Sequence, residues 1–253
     1  MNVGFIGLGI MGTPMALHLL NAGHQLFVTT RSKLPDAVAS TAAVRCANAA
    51  EVARQAEVVF LMVPDTPDVE QVLFGAGGVA EALPGDSRTP GTRKVVVDMS
   101  SISPIETKAF AQKINALGCD YLDAPVSGGE VGAINGALTI MVGGDEAAFG
   151  TVAPLFACMG KAATLIGASG AGQVAKACNQ ILTGVGVMAV AEALNFARKS
   201  GVDAGRVREA LLGGFAYSRI LENHGQRMLD RNFKPGFKAW MHQKDMNIVM
   251  QEA

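Results

Sequence analysis

The sequence is poor in the residues that would indicate a disulfide-bonded or metal-dependent protein. Its 253 residues include only four cysteines and four histidines. The cysteines form no C-x-x-C pair, which argues against both a disulfide framework and a thiolate metal site. The histidines do not lie at metal-ligand spacing with other ligands, so we expect no bound metal. Scattered thiols of this kind are typical of a reducing compartment, which favours a cytoplasmic location.

Charge of either sign is also scarce. Charged residues make up 17% of the chain and the formal net charge is −1, so no basic surplus indicates nucleic acid or an anionic membrane as a partner. The N-terminus lacks a basic segment followed by an apolar run, so we expect no signal peptide. The longest apolar run, Ile181–Ala191, is shorter than the roughly 20 residues that span a bilayer. We interpret it as part of a buried core helix.

What the chain does contain is an alternation of apolar and helical segments. The apolar segments are NVGFIG, QLFVTT, AEVVFLMVP, RKVVVDMS, CDYLDAPV and ALTIMVGG. Continuously apolar strands separated by helices predict a parallel sheet that is covered on both faces. The polar stretch at residues 83–94 predicts a surface loop.

After about Gly167 the pattern becomes purely helical. Helices are predicted over Ala171–Ser200, Ala204–Gly213 and Arg219–Arg231, and from Lys238 onward. We therefore predict an α/β domain over residues 1–166 and an all-α domain over residues 167–253. The second domain opens with a long helix and would serve substrate binding and oligomerisation.

The segment GFIGLGIMG places Gly7, Gly9 and Gly12 in the G-x-G-x-x-G spacing. The first glycine permits a tight turn, the second lets a pyrophosphate approach the backbone, and the third lets helix and strand pack closely. The motif follows a predicted strand and opens a helix predicted over Ile10–Ala22, as a dinucleotide site requires. We predict a Rossmann-type cofactor site, with a well-packed glycine turn as the alternative.

The end of the second strand bears on the choice of cofactor. An acid there would accept hydrogen bonds from the ribose of NAD, but the chain has Thr30 and Arg31. Arg31 could pair with a 2′-phosphate, which favours NADP over NAD. The alternative is a solvent-exposed arginine at the end of a strand.

Lys176 lies on the long predicted helix. Gly172, Gln173, Asn179 and Gln180 share its face at i±3 and i±4 spacing. One interpretation is a polar face in contact with water. The other is a proton donor in a cleft, since the remaining positions nearby are small or apolar and the helix begins at the predicted domain boundary.

The segment LDAPVSGGEVGA places Ser127, Gly128 and Gly129 at the carboxyl end of a predicted strand. α/β sheets bind ligands at that edge. A serine hydroxyl and exposed glycine amides could hold a small carboxylate, although an ordinary loop would use the same glycines for backbone freedom.

Four motifs together resemble the β-hydroxyacid dehydrogenase family. They are the cofactor motif GFIGLGIMG, the substrate motif DAPVSGG, the catalytic motif GAGQVAKACN and the late motif HQKDMN. The resemblance covers essentially the whole chain. The segments MVPDTP, VDMSSISPIETK, GGFAYSRILE and DRNFKPGF are most similar to family members that reduce tartronate semialdehyde.

The resemblance implies a role for each matching residue. Lys176 would be the catalytic acid/base, and Ser127, Gly128, Gly129 and Asn179 would bind the substrate. The residues expected to bind the cofactor are Gly7, Leu8, Gly9, Ile10, Met11, Gly12, Thr30, Arg31, Met62, Val63, Pro64, Ser101 and Lys244. The implied reaction is reduction of a small 3-oxo acid by hydride from NADPH or NADH, so the cofactor is NADP or NAD, and a homodimer or homotetramer is expected.

The resemblance has departures, and alternatives stay open. Family members usually continue beyond the position of Ala253, so we expect the helical domain to be shortened. Tyr217 stands where a small residue is usual and could alter the substrate pocket. The alternatives are a 3-hydroxyisobutyrate dehydrogenase or similar enzyme, an imine reductase, and a catalytically silent dinucleotide-binding scaffold. The presence of Lys176 argues against the last two.

Overall fold

The computed structural model describes residues 1–83, 93–234 and 238–252. The loop predicted at residues 83–94 therefore lies largely outside the described residues.

In the described residues, nine strands form a sheet at the centre of the N-terminal part. Its strands are β1 (Asn2–Ile6), β2 (Gln25–Thr29), β3 (Val44–Arg45), β4 (Val58–Leu61), β5 (Val95–Asp98), β6 (Asp120–Asp123), β7 (Val126–Ser127), β8 (Leu138–Gly143) and β9 (Gly160–Gly167). The first six lie in the order β3-β2-β1-β4-β5-β6 and pair in parallel. This is the strand order of the Rossmann dinucleotide-binding sheet, and it confirms the predicted Rossmann-type fold.

The far edge of the sheet differs from the prediction of a wholly parallel sheet. The pairs Asp123–Gly143, Val126–Ile140 and Ser127–Thr139 are antiparallel. They keep one register, so β7 continues β6 along the same edge of β8. β9 then pairs in parallel with β8. The connection from β7 to β8 is a short segment that contains the helix Gly129–Ile134, and an antiparallel pair needs no longer crossover.

Eleven α-helices are found in the described residues. They are α1 (Gly12–Asn21), α2 (Asp36–Ala39), α3 (Ala49–Gln55), α4 (Thr66–Phe74), α5 (Pro104–Ala116), α6 (Gly129–Ile134), α7 (Glu146–Met159), α8 (Ala171–Lys199), α9 (Ala204–Leu212), α10 (Gln226–Leu229) and α11 (Ala239–Glu252). A π-helical segment, Leu221–Gly225, precedes α10. α1 begins at Gly12 rather than at the predicted Ile10, and Gly23 follows it with φ +88°.

Side-chain caps account for several helix starts. Asn48 accepts a hydrogen bond from the Glu51 amide at the start of α3, and Ser103 accepts one from the Glu106 amide at the start of α5. Asp145 does the same at the start of α7, where it accepts from two amides. Each cap satisfies amide groups that have no partner within the helix.

Two apolar clusters cover the two faces of the sheet. One joins β-strand side chains to α1 and α7 through residues such as Met15 and Phe156. The other joins the opposite face to α3, α4 and α5 through residues such as Leu73 and Phe110. β4 is buried along its full length, which explains why its sequence is continuously apolar.

The interpretation of Ile181–Ala191 as a buried core helix is wrong. In the described residues, Leu182, Val185 and Met188 of α8 are 74%, 63% and 67% exposed. By length and composition alone, α8 would also be able to cross a membrane, a test that soluble core helices pass as well. These three apolar side chains are therefore uncovered in the single chain, whereas Val190, Leu194 and Ala197 of the same helix are buried.

The chain divides into two compact units. The first comprises Met1–Lys176 with the residues from Met250 onward, and the second comprises Ala177–Val249. The second has a small core of its own, built on Val190, Leu194, Ala197, Ala204 and Leu221. The predicted domain boundary between residues 166 and 167 stays a prediction.

Candidate active site

The turn between β1 and α1 has the geometry of a phosphate-binding turn. Gly7 has φ +96°, and its amide donates a hydrogen bond to the Thr29 carbonyl at 3.1 Å. A Cβ on Gly12 would lie 2.0 Å from the Gly7 carbonyl oxygen, so only glycine fits there. A Cβ on Gly9 would meet no atom within 4 Å. The first and third glycines are therefore required by packing, whereas Gly9 leaves open space beside the backbone.

The residues between these glycines differ in what they can offer. Ile10 is 63% exposed, and Met11 is half-buried. Leu8 is only 3% exposed and packs in the core, so only its main chain could face a cofactor.

A cavity of about 520 Å³ opens beside this turn. Its walls include Gly9 and Ile10 from the turn and Glu130 and Ile134 from α6. His18 of α1 lies 3.0 Å from the carbonyl oxygens of Ala133 and Ile134. The glycine turn and the segment that follows Ser127 therefore border the same space.

The carboxyl end of β2 carries Thr30 and Arg31. Arg31 is exposed and forms an ion pair with Asp68 of α4, with Nη1 and Oδ1 2.8 Å apart. Thr30 Oγ1 lies 3.4 Å from Ser32 Oγ. A cation and two hydroxyl groups are thus gathered where the adenosine ribose binds in this fold.

Met62, Val63 and Pro64 follow β4, the neighbour of β1. A Cβ on Gly7 would lie 2.3 Å from the Met62 carbonyl oxygen, so the two turns are in close contact. The Val63 amide donates to Ser100 Oγ at 3.0 Å. Ser101, the next residue, is half-buried at the end of β5.

Buried acids stand at the ends of the next two strands. Asp98 accepts hydrogen bonds from the Ser100 amide at 2.9 Å and from the Tyr121 hydroxyl at 3.2 Å. Burial raises the pKa of the Asp98 carboxyl to about 6, against the opposing effect of its hydrogen bonds to Ser100. Burial also raises the pKa of Asp123.

Asp123 holds the beginning of α8. Its two carboxylate oxygens accept hydrogen bonds from the Gly170 amide at 2.7 Å and from the Gln173 amide at 3.0 Å. A Cβ on Gly172 would lie 2.8 Å from the same carboxylate. A negative charge at a helix start is favoured by the orphan amides and the helix dipole.

Lys176, one turn further along α8, reaches the substrate segment. Its Nζ donates a hydrogen bond to the Val126 carbonyl oxygen at 2.8 Å. Val126 is followed by the half-buried Ser127 and by the exposed Gly128 and Gly129, which have φ +139° and +61°. The structure therefore brings together Lys176 and the segment that carries Ser127.

The polar stripe of α8 does not simply face water, as one interpretation of the sequence held. Gln173 and Gln180 are 2% and 6% exposed. The apolar Val174 and Ile181, by contrast, are each 40% exposed.

Asn179 and Lys244 belong to one hydrogen-bonded chain, which runs through the buried Gln180 and Asp245. Asn179 Nδ2 donates to Gln180 Oε1 at 2.8 Å, and Gln180 Nε2 donates to Asp245 Oδ2 at 2.5 Å. Lys244 Nζ lies 3.0 Å from Asp245 Oδ1. The catalytic and late motifs thus meet through Gln180 and Asp245.

Sequence reasoning assigned no role to several residues of this network. Asp98 and Asp123 gave a usable indication, since each is an acid that ends a continuously apolar strand. The Ser100 hydroxyl, Asp68 and the side-chain amide of Gln173 gave none, because each has a partner 37 or more residues away along the chain. Among the described residues, no three His, Cys, Asp or Glu side chains gather as metal ligands.

Comparison with known proteins agrees with this geometry. Residues 2–167 match the family described as the NAD-binding domain of 6-phosphogluconate dehydrogenase. Residues 170–253 match the family described as NAD-binding of NADP-dependent 3-hydroxyisobutyrate dehydrogenase. The 2-hydroxy-3-oxopropionate reductase of Escherichia coli strain K12 is 57% identical over 100% of this chain and 84% of its own.

The chain belongs to the β-hydroxyacid dehydrogenase family. As a member, it is an NAD(P)-dependent oxidoreductase, and the catalytically silent alternative falls away. The mitochondrial 3-hydroxyisobutyrate dehydrogenase of Drosophila melanogaster is 38% identical over 98% of this chain and 76% of its own. A Mycobacterium tuberculosis 3-hydroxyisobutyrate dehydrogenase solved with L-serine superposes with a TM-score of 0.84 at 30% identity, over 99% of this chain and 85% of that one.

Proposed function

We propose that this enzyme reduces tartronate semialdehyde (2-hydroxy-3-oxopropanoate) to D-glycerate, with Lys176 as the proton donor. The observation that carries the proposal is the 2.8 Å hydrogen bond from Lys176 Nζ to the Val126 carbonyl oxygen. It holds an ammonium group beside Ser127, at the edge of the sheet where this fold binds ligands. The choice of substrate rests on the 57% identity to the reductase of that name.

The role proposed for each residue follows from the chemistry of its functional group. Ser127 and the amides of Gly128 and Gly129 bind the substrate carboxylate, and Asn179 orients the substrate. The chemistry that a bound reduced nicotinamide supplies is hydride, which adds to the aldehyde carbon. Lys176 stabilises the negative charge that develops on the aldehyde oxygen and donates the proton that completes the primary alcohol.

The cofactor site fits a dinucleotide on the observed geometry. The open space at Gly9, with the exposed Ile10 and half-buried Met11 beside it, suits a pyrophosphate approaching the backbone. We infer that Gly7, Gly12 and the main chain of Leu8 shape this turn. Met62, Val63, Pro64, Ser101 and Lys244 would line the path toward the nicotinamide, as the family motifs imply.

We infer a preference for NADP over NAD from the end of β2. Arg31 offers a cation and Thr30 a hydroxyl group, and neither repels a 2′-phosphate. Replacing Arg31 by alanine should weaken the binding of NADPH more than that of NADH. Arg45, an exposed arginine on the neighbouring strand, provides the control variant Arg45→Ala. Equal weakening of both cofactors would contradict the inference.

The remaining parts of the proposal concern the location, the oligomeric state and the partners of the enzyme. We infer a cytoplasmic homodimer or homotetramer that requires no metal and binds neither nucleic acid nor membrane. The exposed apolar residues of α8 support self-association. A domain boundary near residue 166 remains part of the same proposal.

The test is oxidation of NADPH and NADH by the purified enzyme with tartronate semialdehyde, comparing wild type with Lys176→Ala. Loss of general acid catalysis should lower kcat by about 10²–10⁴-fold, with the dissociation constant of NADPH nearly unchanged. Lys161, an exposed lysine of β9, provides the control variant Lys161→Ala. An unchanged kcat in Lys176→Ala would show that Lys176 is not the proton donor.

The competing substrate is 3-hydroxyisobutyrate. It is favoured by the match of residues 170–253 and by the 30% identical solved relative. The same enzyme should be assayed in the direction of 3-hydroxyisobutyrate oxidation. A higher kcat/KM there than with tartronate semialdehyde would transfer the proposal to that substrate.

A further inference from the structure

Gln173 is a buried side chain with two well-defined partners on one loop. It is 2% exposed and lies on α8, three residues before Lys176. Its Nε2 donates a hydrogen bond to the Ser100 carbonyl oxygen at 2.8 Å. Its Oε1 accepts one from the Ile102 amide at 3.1 Å. One amide group therefore holds the main chain on both sides of Ser101.

The loop that Gln173 holds lies beyond the end of β5 at Asp98, where the sheet no longer supplies partners. Ser100 is tied on its other side to the Val63 amide through Oγ, and its own amide is tied to Asp98. Gln173 thus joins α8 to the segment that connects the two strand ends at the centre of the sheet.

The helix at the other end of this link is itself fixed. The Gln173 amide donates to Asp123, and Lys176 donates to the Val126 carbonyl. The short distance along the helix from Gln173 to Lys176 leaves little freedom between the two side chains. The Gln173 side chain therefore links the Ser101 loop to the turn of α8 that carries Lys176.

We propose that Gln173 is a positioning residue that fixes the Ser101 loop relative to Lys176. An apolar residue of similar length would fill the space but would leave the Ser100 carbonyl and the Ile102 amide without these bonds. A displacement of about 1 Å between reacting groups can cost on the order of 10²-fold in rate. The inference rests on the proposed function in taking Lys176 as the proton donor and the Ser101 loop as part of the cofactor site.

The variant Gln173→Glu separates positioning from simple packing. A glutamate can still accept the Ile102 amide, but its second oxygen faces the Ser100 carbonyl and can donate only when protonated. Burial and the neighbouring carboxyls of Asp98 and Asp123 favour the protonated form, whereas the ammonium of Lys176 opposes it. Lower pH should therefore restore the missing hydrogen bond.

The experiment measures kcat of wild type, Gln173→Glu and Gln173→Met between pH 6 and pH 9, per site titrated with NADPH. We expect both variants to lose about 10–10²-fold in kcat at pH 8.5, with the KM for NADPH within about threefold of wild type. The ratio of Gln173→Glu to wild type should rise as the pH falls, and that of Gln173→Met should stay flat. Gln112→Glu, an exposed glutamine on α5, controls for the added charge.

Either of two results would overturn the proposal: kcat within twofold of wild type for a folded variant, or a Gln173→Glu ratio that does not change with pH. Circular dichroism establishes which variants fold, and one folded variant suffices for the first criterion. If the wild type does not turn over tartronate semialdehyde, 3-hydroxyisobutyrate is used instead, and only the proposed function has failed.

A measurement without substrate completes the test. The Ile102 amide should exchange its hydrogen faster in Gln173→Met than in wild type, because its acceptor is gone. Unchanged protection of Ile102 would contradict the proposed link whatever the enzyme reduces.

Discussion

The ion pair between Arg31 and Asp68 bears directly on the choice of cofactor at the residue scale. A carboxylate lies 2.8 Å from the one cation expected to meet a 2′-phosphate, and its side chain is 23% exposed. The acid that NAD-binding folds carry at the end of β2 is absent, yet Asp68 brings an acid to the same place from α4. A 2′-phosphate must therefore compete with Asp68 for Arg31.

Asp68→Asn should tighten NADPH binding by up to about fivefold, the range of a surface ion pair, and leave NADH binding unchanged. Titration of cofactor fluorescence measures both, and the difference should shrink in 0.5 M salt because exposed charges are screened. Asp36→Asn is the matched control, since Asp36 pairs with the equally exposed Lys33 in the adjacent loop. Weaker NADPH binding would mean that Asp68 orients Arg31 rather than competing for it.

Asp98 gives the fold a dependence on pH. Burial raises the pKa of the Asp98 carboxyl from 3.8 to about 6. Between these two pH values, the folded chain therefore keeps a proton that the unfolded chain has lost. The stability from this group is fully present below about pH 4 and is lost as the pH rises through 6. Asp98→Asn has no charge to bury, and the Tyr121 hydroxyl can rotate to accept from its amide.

The free energy of unfolding of Asp98→Asn, relative to wild type, should therefore increase between pH 4 and pH 7, by up to about 3 kcal/mol. Urea unfolding at four pH values measures this difference. Asp36→Asn again serves as the control, because its side chain is 87% exposed. A difference that stays constant with pH would show that the Asp98 carboxyl is not protonated in the folded chain.

At the scale of single elements, the β1–α1 turn separates packing from ligand binding. Gly12→Ala places a Cβ 2.0 Å from the Gly7 carbonyl oxygen, so it should lower the free energy of unfolding by at least about 2 kcal/mol. It should also lower the affinity for the cofactor. Gly9→Ala meets no atom within 4 Å, so stability should change by less than about 0.5 kcal/mol. Its cofactor affinity should still fall by about tenfold or more, because the pyrophosphate needs that space.

Urea unfolding and NADH titration of the two variants give the comparison. The two glycines are each other's control, since they lie in the same turn and receive the same substitution. If Gly9→Ala bound NADH as tightly as wild type, the pyrophosphate would not bind on this side of the turn.

The elements that could be predicted are those determined by residues close together in the sequence. Glycine spacing after an apolar strand predicted the first turn, and helical periodicity predicted α8 to within one residue of its end. The antiparallel pairing of β7 with β8 was not predictable, because an apolar strand reads alike in either direction. The role of Gln173 was not predictable either, since its side-chain partners lie on the loop after β5 and a polar residue on a helix usually faces water.

The whole molecule raises the question of what covers α8. Leu182, Val185 and Met188 lie three residues apart and are more than half exposed in the single chain. Apolar stripes of this size usually mark an interface. A second copy of the chain fits the expected dimer or tetramer. If α8 crossed a lipid bilayer instead, Gln173, Lys176 and Gln180 would have to give up the hydrogen bonds that they make within the chain.

Light scattering coupled to size-exclusion chromatography should therefore give a dimer or tetramer at micromolar concentration. The double variant Leu182→Glu and Met188→Lys should shift the enzyme toward the monomer, because each lost leucine or methionine contact removes about 1.5–3 kcal/mol of burial. Glu192→Gln, an exposed replacement on the same helix, should leave the oligomer intact. A monomeric wild type that sediments with lipid vesicles would reverse the assignment and make the same stripe a membrane-binding face.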